Sequence, residues 1–485
     1  MPRRAALVPV ELVEDSQPEP TTPTMPVRRS RRPLLWLLVP VVAVAVLAGA
    51  QQVSEAMARA ADARVAALPG AIDPLGDGID VVWRSDPIDL PLAYGLVAQE
   101  ALHGVVVGPD GSLTYRSVDL VTGAERWSAD LRGPDPALVD PLNTTRTRCQ
   151  PWGADLADPT QVVCLVTDVY LGQAGTGEAG RVASQSRLRV LDLADGQALA
   201  NRAIAPVGSM AVLPGLVATG TVDAANHLLV VATDPLTGAE LWRYRGAGPL
   251  LGATPPPPDV AGLGGLVFVA TSTADSPMLL SATGERIPVD AATNGWAGTE
   301  QGWLTLQRLE AGRNDPVTTV YRPGEPPVEV DGTLLDRSVD DGSVPGLEVS
   351  TGQALYGWDT RTGARRWEAD VDVAPVFRPS VLVIEGVVYV AGFDDIVALD
   401  ARTGDVRWTF PRQVGSYRGE LLTDGAHILL VDAPSDGVGT GYVTIVDRRD
   451  GTFVHRLALP AGVRDVFSAG RRLVDAGSQE IAGLG

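Results

Sequence analysis

Asp119-Leu-Val-Thr-Gly123-Ala-Glu-Arg-Trp127 is the stretch on which the fold turns, because the chain repeats it. It returns as Asp234-Pro-Leu-Thr-Gly238-Ala-Glu-Leu-Trp242, as Asp359-Thr-Arg-Thr-Gly363-Ala-Arg-Arg-Trp367 and as Asp400-Ala-Arg-Thr-Gly404-Asp-Val-Arg-Trp408. Two worn copies keep Asp and Gly but lose Trp: Asp192 to Gly196 with Ala200 in the Trp place, and Asp447 to Gly451 with His455. Each copy sits between strand-like runs, such as Ile396-Val-Ala-Leu399 before Asp400. D-x-x-T-G therefore reads as a hairpin turn. Asp accepts hydrogen bonds from the turn amides, and Gly supplies a positive φ without steric cost. The Trp then ends the outer strand.

The intervals between the leading Asp residues give the period. From 192 to 234 is 42, from 359 to 400 is 41, and from 400 to 447 is 47. The gap of 125 from 234 to 359 leaves room for worn copies near Ser281-Ala-Thr-Gly284 and Tyr321-Arg-Pro-Gly324. From 119 to 192 is 73, one unit plus an insertion. A period of roughly 40–45 residues with four strands per unit is the signature of a β-propeller. Val81-Val-Trp-Arg84 reads as an orphan outer strand that pairs with short strands in residues 464–482 and closes the ring. Closure removes the free edges of the sheet row. The expectation is an all-β, eight-bladed propeller, with seven or nine blades as the alternatives, over residues 80–485.

The D-x-x-T-G-x-x-x-W unit resembles the tryptophan-docking repeat of the PQQ-like propellers. That superfamily includes quinoprotein dehydrogenases and BamB-type assembly lipoproteins. The resemblance covers about residues 80–485. It implies that Trp127, Trp242, Trp367 and Trp408 pack between adjacent blades as structural residues rather than site residues.

Composition agrees with a turn-rich ring. Gly and Pro number 53 and 38, and Trp (10) outnumbers Phe (6). All 39 positive residues are Arg, which points to a GC-rich genome. The net charge of −20 argues against nucleic acid as a partner, because affinity there comes from neutralising phosphates. Two cysteines cannot build a disulfide-rich scaffold or a four-cysteine zinc site.

Pro33 to Ala50 is an uncharged run of 18 residues, preceded by Arg28, Arg29, Arg31 and Arg32. About 20 apolar residues span a bilayer core, and positive charge stays on the cytoplasmic side. The expectation is a single transmembrane helix over 33–50, binding the cell membrane. The N-terminus is then cytoplasmic and the ring extracytoplasmic. Ala48-Gly-Ala50 and the twin-arginine-like Ser30 to Leu35 leave open a signal cut near Ala50. Residues 1–32 read as a disordered cytoplasmic tail. Residues 51–79 read as a stalk or linker, helical by propensity through its Ala-rich part.

Candidate chemistry is sparse. Cys149 and Cys164 read as a structural disulfide in the long second unit, with free thiols as the alternative. Gly175-x-Gly177-x-x-Gly180 matches a phosphate-loop pattern but has strands on both sides, so it reads as a hairpin loop, as does Gly437 to Gly441. His103, His227, His427 and His455 have no metal-ligand spacing. Asp73, Asp77 and Asp80 match no calcium loop and read as a solvated turn. Asn143-Thr-Thr145 is an uninformative sequon. No catalytic, cofactor-binding or metal residue is expected, and no cofactor. The PQQ dehydrogenases carry a vicinal cysteine pair that this chain lacks, and the BamB-type lipoproteins carry a lipidation cysteine that it also lacks. The expected function is a non-enzymatic scaffold for an extracytoplasmic protein or envelope polymer. The alternatives are a quinoprotein-like oxidoreductase with PQQ in the central funnel and a ligand sensor.

Overall fold

In the computed structural model, residues 33–485 are described, apart from 86–91, 93–94, 139–143, 146, 154–158, 169, 172–182, 253–256, 272–276, 290–296, 301–302, 311, 313–314, 374–379, 413–417, 434–439, 465 and 478–479. The expected tail 1–32, the Gly175–Gly180 loop, Asn143 and Gly437–Gly439 lie outside them. The chain divides into two compact units, Met1–Arg59 and Ala60–Gly485.

One α-helix is described, α1, Pro33–Ala66. The transmembrane expectation over 33–50 is corrected here. Among the described residues no helix is long and apolar enough to cross a membrane. α1 does not stop where the uncharged run stops at Ala50. It continues through Glu55, Arg59, Asp62 and Arg64. The run itself has 18 residues, short of the roughly 20 that a span needs. The single-pass localisation and the cell membrane as a partner through 33–50 fall with it.

The rest is β-structure of propeller type. In the first unit, Leu96–Ala98, Ala101–Val107, Leu113–Asp119 and Glu125–Arg132 form an antiparallel sheet in sequence order. Seven more units repeat this meander, with outer strands Ala198–Ile204, Glu240–Pro249, Arg286–Ile287, Val328–Asp331, Arg365–Ala369, Val406–Pro411 and Phe453–Ala458. Alternation sets the burial. Leu113 and Tyr115 are buried in the seam with the next unit, Ser117 is buried in the same alternation, and the residues between them are half-exposed.

A closing unit joins the two ends of the ring. Val81–Arg84 pairs antiparallel with Ile481–Leu484, which continues to Arg472–Ala476 and Val466–Ala469. This is the pairing expected for the orphan strand. Inner strands also link units directly. Met210 pairs with Ala261 in parallel, and Asp336–Asp340, between the sixth unit's first two strands, pairs in parallel with Ser380–Ile384 of the seventh.

The core is a series of layers between neighbouring sheets. One joins Val349, Leu355 and Trp367 of the sixth unit to Val381, Val388 and Leu399 of the seventh. Another joins Leu429, Val443 and Leu457 of the eighth to Val466, Leu473 and Leu484 of the closing unit.

Candidate functional site: docking seams and the loop face

The repeated turn is held by its Asp. Asp119 Oδ1 accepts from the amides of Val121 (2.9 Å) and Thr122 (2.8 Å) and from Thr122 Oγ1 (3.0 Å). Its Oδ2 accepts from Arg126 Nε at 3.0 Å and Nη2 at 2.7 Å. The Arg126 bond, with the Thr122 and Val121 donors, holds the Asp119 carboxyl down at about 2. Asp359 with Arg366 and Asp400 with Arg407 repeat the clamp. In the Asp234 copy that position is Leu241, which is exposed. Asp234 is held by Thr237 and Leu236 instead.

Each docking indole meets the turn of the next unit. Trp127 Nε1 donates to the Leu193 carbonyl at 3.0 Å, Trp242 to Ala282 at 2.8 Å and Trp367 to Ala401 at 2.9 Å. The acceptor is the residue after the leading Asp or, in the fourth unit, after Ser281. The indole then lies over the turn glycine. A Cβ on Gly196 would come within 2.5 Å of the Trp127 ring, on Gly284 within 2.8 Å of Trp242, and on Gly404 within 3.0 Å of Trp367. Trp408 covers Gly451 in the same way, but there the Arg448 carbonyl accepts from Tyr389 Oη at 3.1 Å. Tyr389 in turn packs against the Trp408 ring at 5.8 Å.

Three docking positions carry no signature in the sequence. Trp83, on the orphan strand, docks on the first unit through Leu120 (2.9 Å) and lies over Gly123. Arg202 replaces the missing indole of the second unit. Its guanidinium donates to the Pro235 and Asp234 carbonyls at 2.7 and 3.0 Å and covers Gly238. Gly363 meets Val328, an aliphatic substitute from the fifth unit. The docking Trp stands eight places after its Asp, whereas Arg202 stands ten places after Asp192.

Cys149 and Cys164 are joined by a disulfide between directly opposed residues of the two innermost strands of the second unit. It is therefore not a vicinal pair, and it ties one sheet internally. The histidines stay apart. His103 is buried beside Tyr115 and Trp127, His227 bonds the Gly246 carbonyl, and His427 bonds Asp424 at 2.9 Å. Asp73 pairs with Arg471 at 2.8 Å, and the Asp80 backbone pairs with Gly485. Among the described residues no group of three or more His, Cys, Asp or Glu side chains could hold a metal ion. The disulfide's place does not fit the vicinal cysteines that the resemblance attaches to PQQ chemistry.

The two faces of the ring differ. One face gathers most of the tight turns, such as 99–100, 214–215, 264–265, 385–386 and 470–471, together with the Asp-Gly turns. The other strand ends, to which longer stretches of sequence attach in several units, lie on the opposite face, where Leu251 and Leu309 stand among the described residues. Antiparallel strands running in sequence order force this sorting. The connections from second to third strand, and from fourth strand to the next unit, all emerge on one side.

Sheet topology and seams together define a repeat protein of the PQQ-like β-propeller class. The family described as outer membrane protein assembly factor BamB matches residues 184–454, more than half of the chain, and the protein belongs to that family. Among solved structures it is similar to BamB from Moraxella catarrhalis, at 15% identity and a TM-score of 0.39, over 84% of this chain and 97% of that one. It is also similar to the C-terminal WD40 domain of Sif2, at 13% identity and a TM-score of 0.35, over 85% and 99% of the two chains. A europium-containing methanol dehydrogenase aligns at 12% identity and a TM-score of 0.31, over 76% and 84%. No curated protein matches the chain.

Proposed function

We propose that this propeller is a non-enzymatic scaffold that binds another protein through the face carrying its long connections. The asymmetry of the two faces carries this reading. A ring that gathers most of its tight turns on one side leaves the other side, with its more variable connections, for recognition. The two most exposed large apolar side chains of the described ring, Leu309 (81%) and Leu251 (73%), stand on the long-connection face. Membership in a family described as an assembly factor supports the same reading. Of the blade counts left open by the sequence, the strand pairing favours nine, eight with their own turn and one completed by Val81–Arg84.

The test places a photo-crosslinking residue at Leu251 or Leu309, and at Val121 or Leu236 on the opposite face, in the full-length chain in its native cells. One protein captured from the first pair and absent from the second is the expected result. Capture from both faces alike, or from neither, would overturn the proposal.

A further inference from the structure

We infer that Ala60–Ile79 is a clasp that locks the ring at its closing seam. The segment crosses the short-turn face from the seventh unit to the closing unit, and each step is anchored. Asp62 accepts from Arg448 Nη2 at 3.2 Å and from Arg449 Nη2 at 2.5 Å, both in the turn of the eighth unit. Arg448 is the largest fully buried side chain among the described residues and also holds Glu385 (2.9 Å) and the Gly425 carbonyl (3.0 Å). Arg471, in the closing unit, donates to the Ala66 carbonyl at 2.7 Å and to Asp73 at 2.8 Å. Ala66 ends α1, where carbonyls lack helical partners and the helix dipole favours a cation.

Backbone and apolar contacts continue the anchoring. The Ile72 amide donates to Thr423 and the Asp73 amide to Arg471, both at 2.9 Å. Val65 is buried with Leu382 and Tyr389 of the seventh unit and Leu421 and Ile428 of the eighth. Ile72 and Ile79 are buried with Leu429 and Val443 of the eighth unit and Leu473 and Leu484 of the closing unit. Gly70, at φ +83°, lies against the Ser338 carbonyl, where a Cβ would come within 2.0 Å.

The placement answers a local weakness. At four other seams, those after the closing, first, third and sixth units, an indole N–H bonds the next turn. The eighth unit has His455 in the Trp place, and its Nε2 is buried without a hydrogen-bond partner. The clasp spans the two seams flanking that unit. It does there by lateral bridging what the docked indoles do at those four seams.

The inference is independent of the partner reading and is tested in the full-length chain. Two variants are compared with the parent by amide hydrogen exchange: Asp62→Asn/Asp73→Asn, and Val65→Ser/Ile72→Ser. Exchange in the closing unit (466–484) should rise about tenfold or more in both, with the third unit (210–249) nearly unchanged. Uniform acceleration of both units, or no acceleration in either variant, would overturn the clasp. If the apolar variant does not fold, the Asp pair carries the test, because Arg448 keeps Glu385 and the Gly425 carbonyl.

Discussion

Glu348 sits in the second strand of the sixth unit, almost fully buried, with Arg337 Nη2 at 3.0 Å. Burial raises its carboxyl to about 7 from 4.5, outweighing Arg337 and Arg322, while Asp340 and Asp336 add to the rise. The folded protein therefore keeps a proton that the unfolded chain has already released, and stability falls as pH rises through that window. His103 tilts the other way. Burial lowers it from 6.5 to about 4, with Arg126 adding to this and the Ala98 carbonyl opposing. Here the unfolded chain takes up the proton first, so stability falls as pH drops from 6.5 towards 4. The two slopes offset each other in the parent. Glu348→Gln should leave stability rising with pH, gaining on the order of 2 kcal/mol on the parent between pH 5 and 8 in denaturant titrations. His103→Gln should remove most of the acid-side loss, again on the order of 2 kcal/mol between pH 6.5 and 4.5. Neither group was legible in the sequence. A lone Glu or His in a strand says nothing of burial until a neighbouring sheet covers it.

Among the elements, the Asp-Gly turn works as half of a seam. Its glycine has two duties, a positive φ and room for the neighbour's indole. Gly404 has both, with φ 77° and the Trp367 ring 3.0 Å from where a Cβ would stand. Gly215, in the tight turn between the third unit's first two strands rather than in an Asp-Gly turn, has only the first, with φ 78° and nothing within 4 Å. Gly215→Ala should cost about 1 kcal/mol, the backbone penalty alone. Gly404→Ala should cost clearly more, about 2–3 kcal/mol, because the ring must also shift. Equal thermal shifts for the two variants would show that the indole yields freely. Trp367→Ala, which empties a buried dock and leaves the Ala401 carbonyl without its donor, should cost about 3–5 kcal/mol. The hairpin and its Asp were legible because turn chemistry is local. Arg202 was not, since its role depends on which turn stands opposite.

For the whole molecule, closure is the decisive event. Val81–Arg84 must find Ile481–Leu484 from the other end of the ring, while Trp83 docks on the first unit. The disulfide contributes nothing to that long-range step, because it joins neighbouring strands of one unit. Cys149→Ser/Cys164→Ser should lower stability by about 3 kcal/mol in the chain-entropy account and leave closure intact. A strong rise in exchange at 466–484 in that variant would contradict this. By itself the sequence determined the repeat, the hairpin turn, the cysteine pair and the closing strand. All rest on short-range chemistry or on an alternation that survives without knowledge of neighbours. It misjudged α1, because the length of an uncharged run does not tell where a helix stops or what its continuation carries. Only the tertiary structure decided which turn each Trp meets, that Arg202 and Val328 replace missing indoles, and where Ala60–Ile79 packs. These are contacts between neighbouring units, or in the last case between distant parts of the chain, set by packing rather than by local preference.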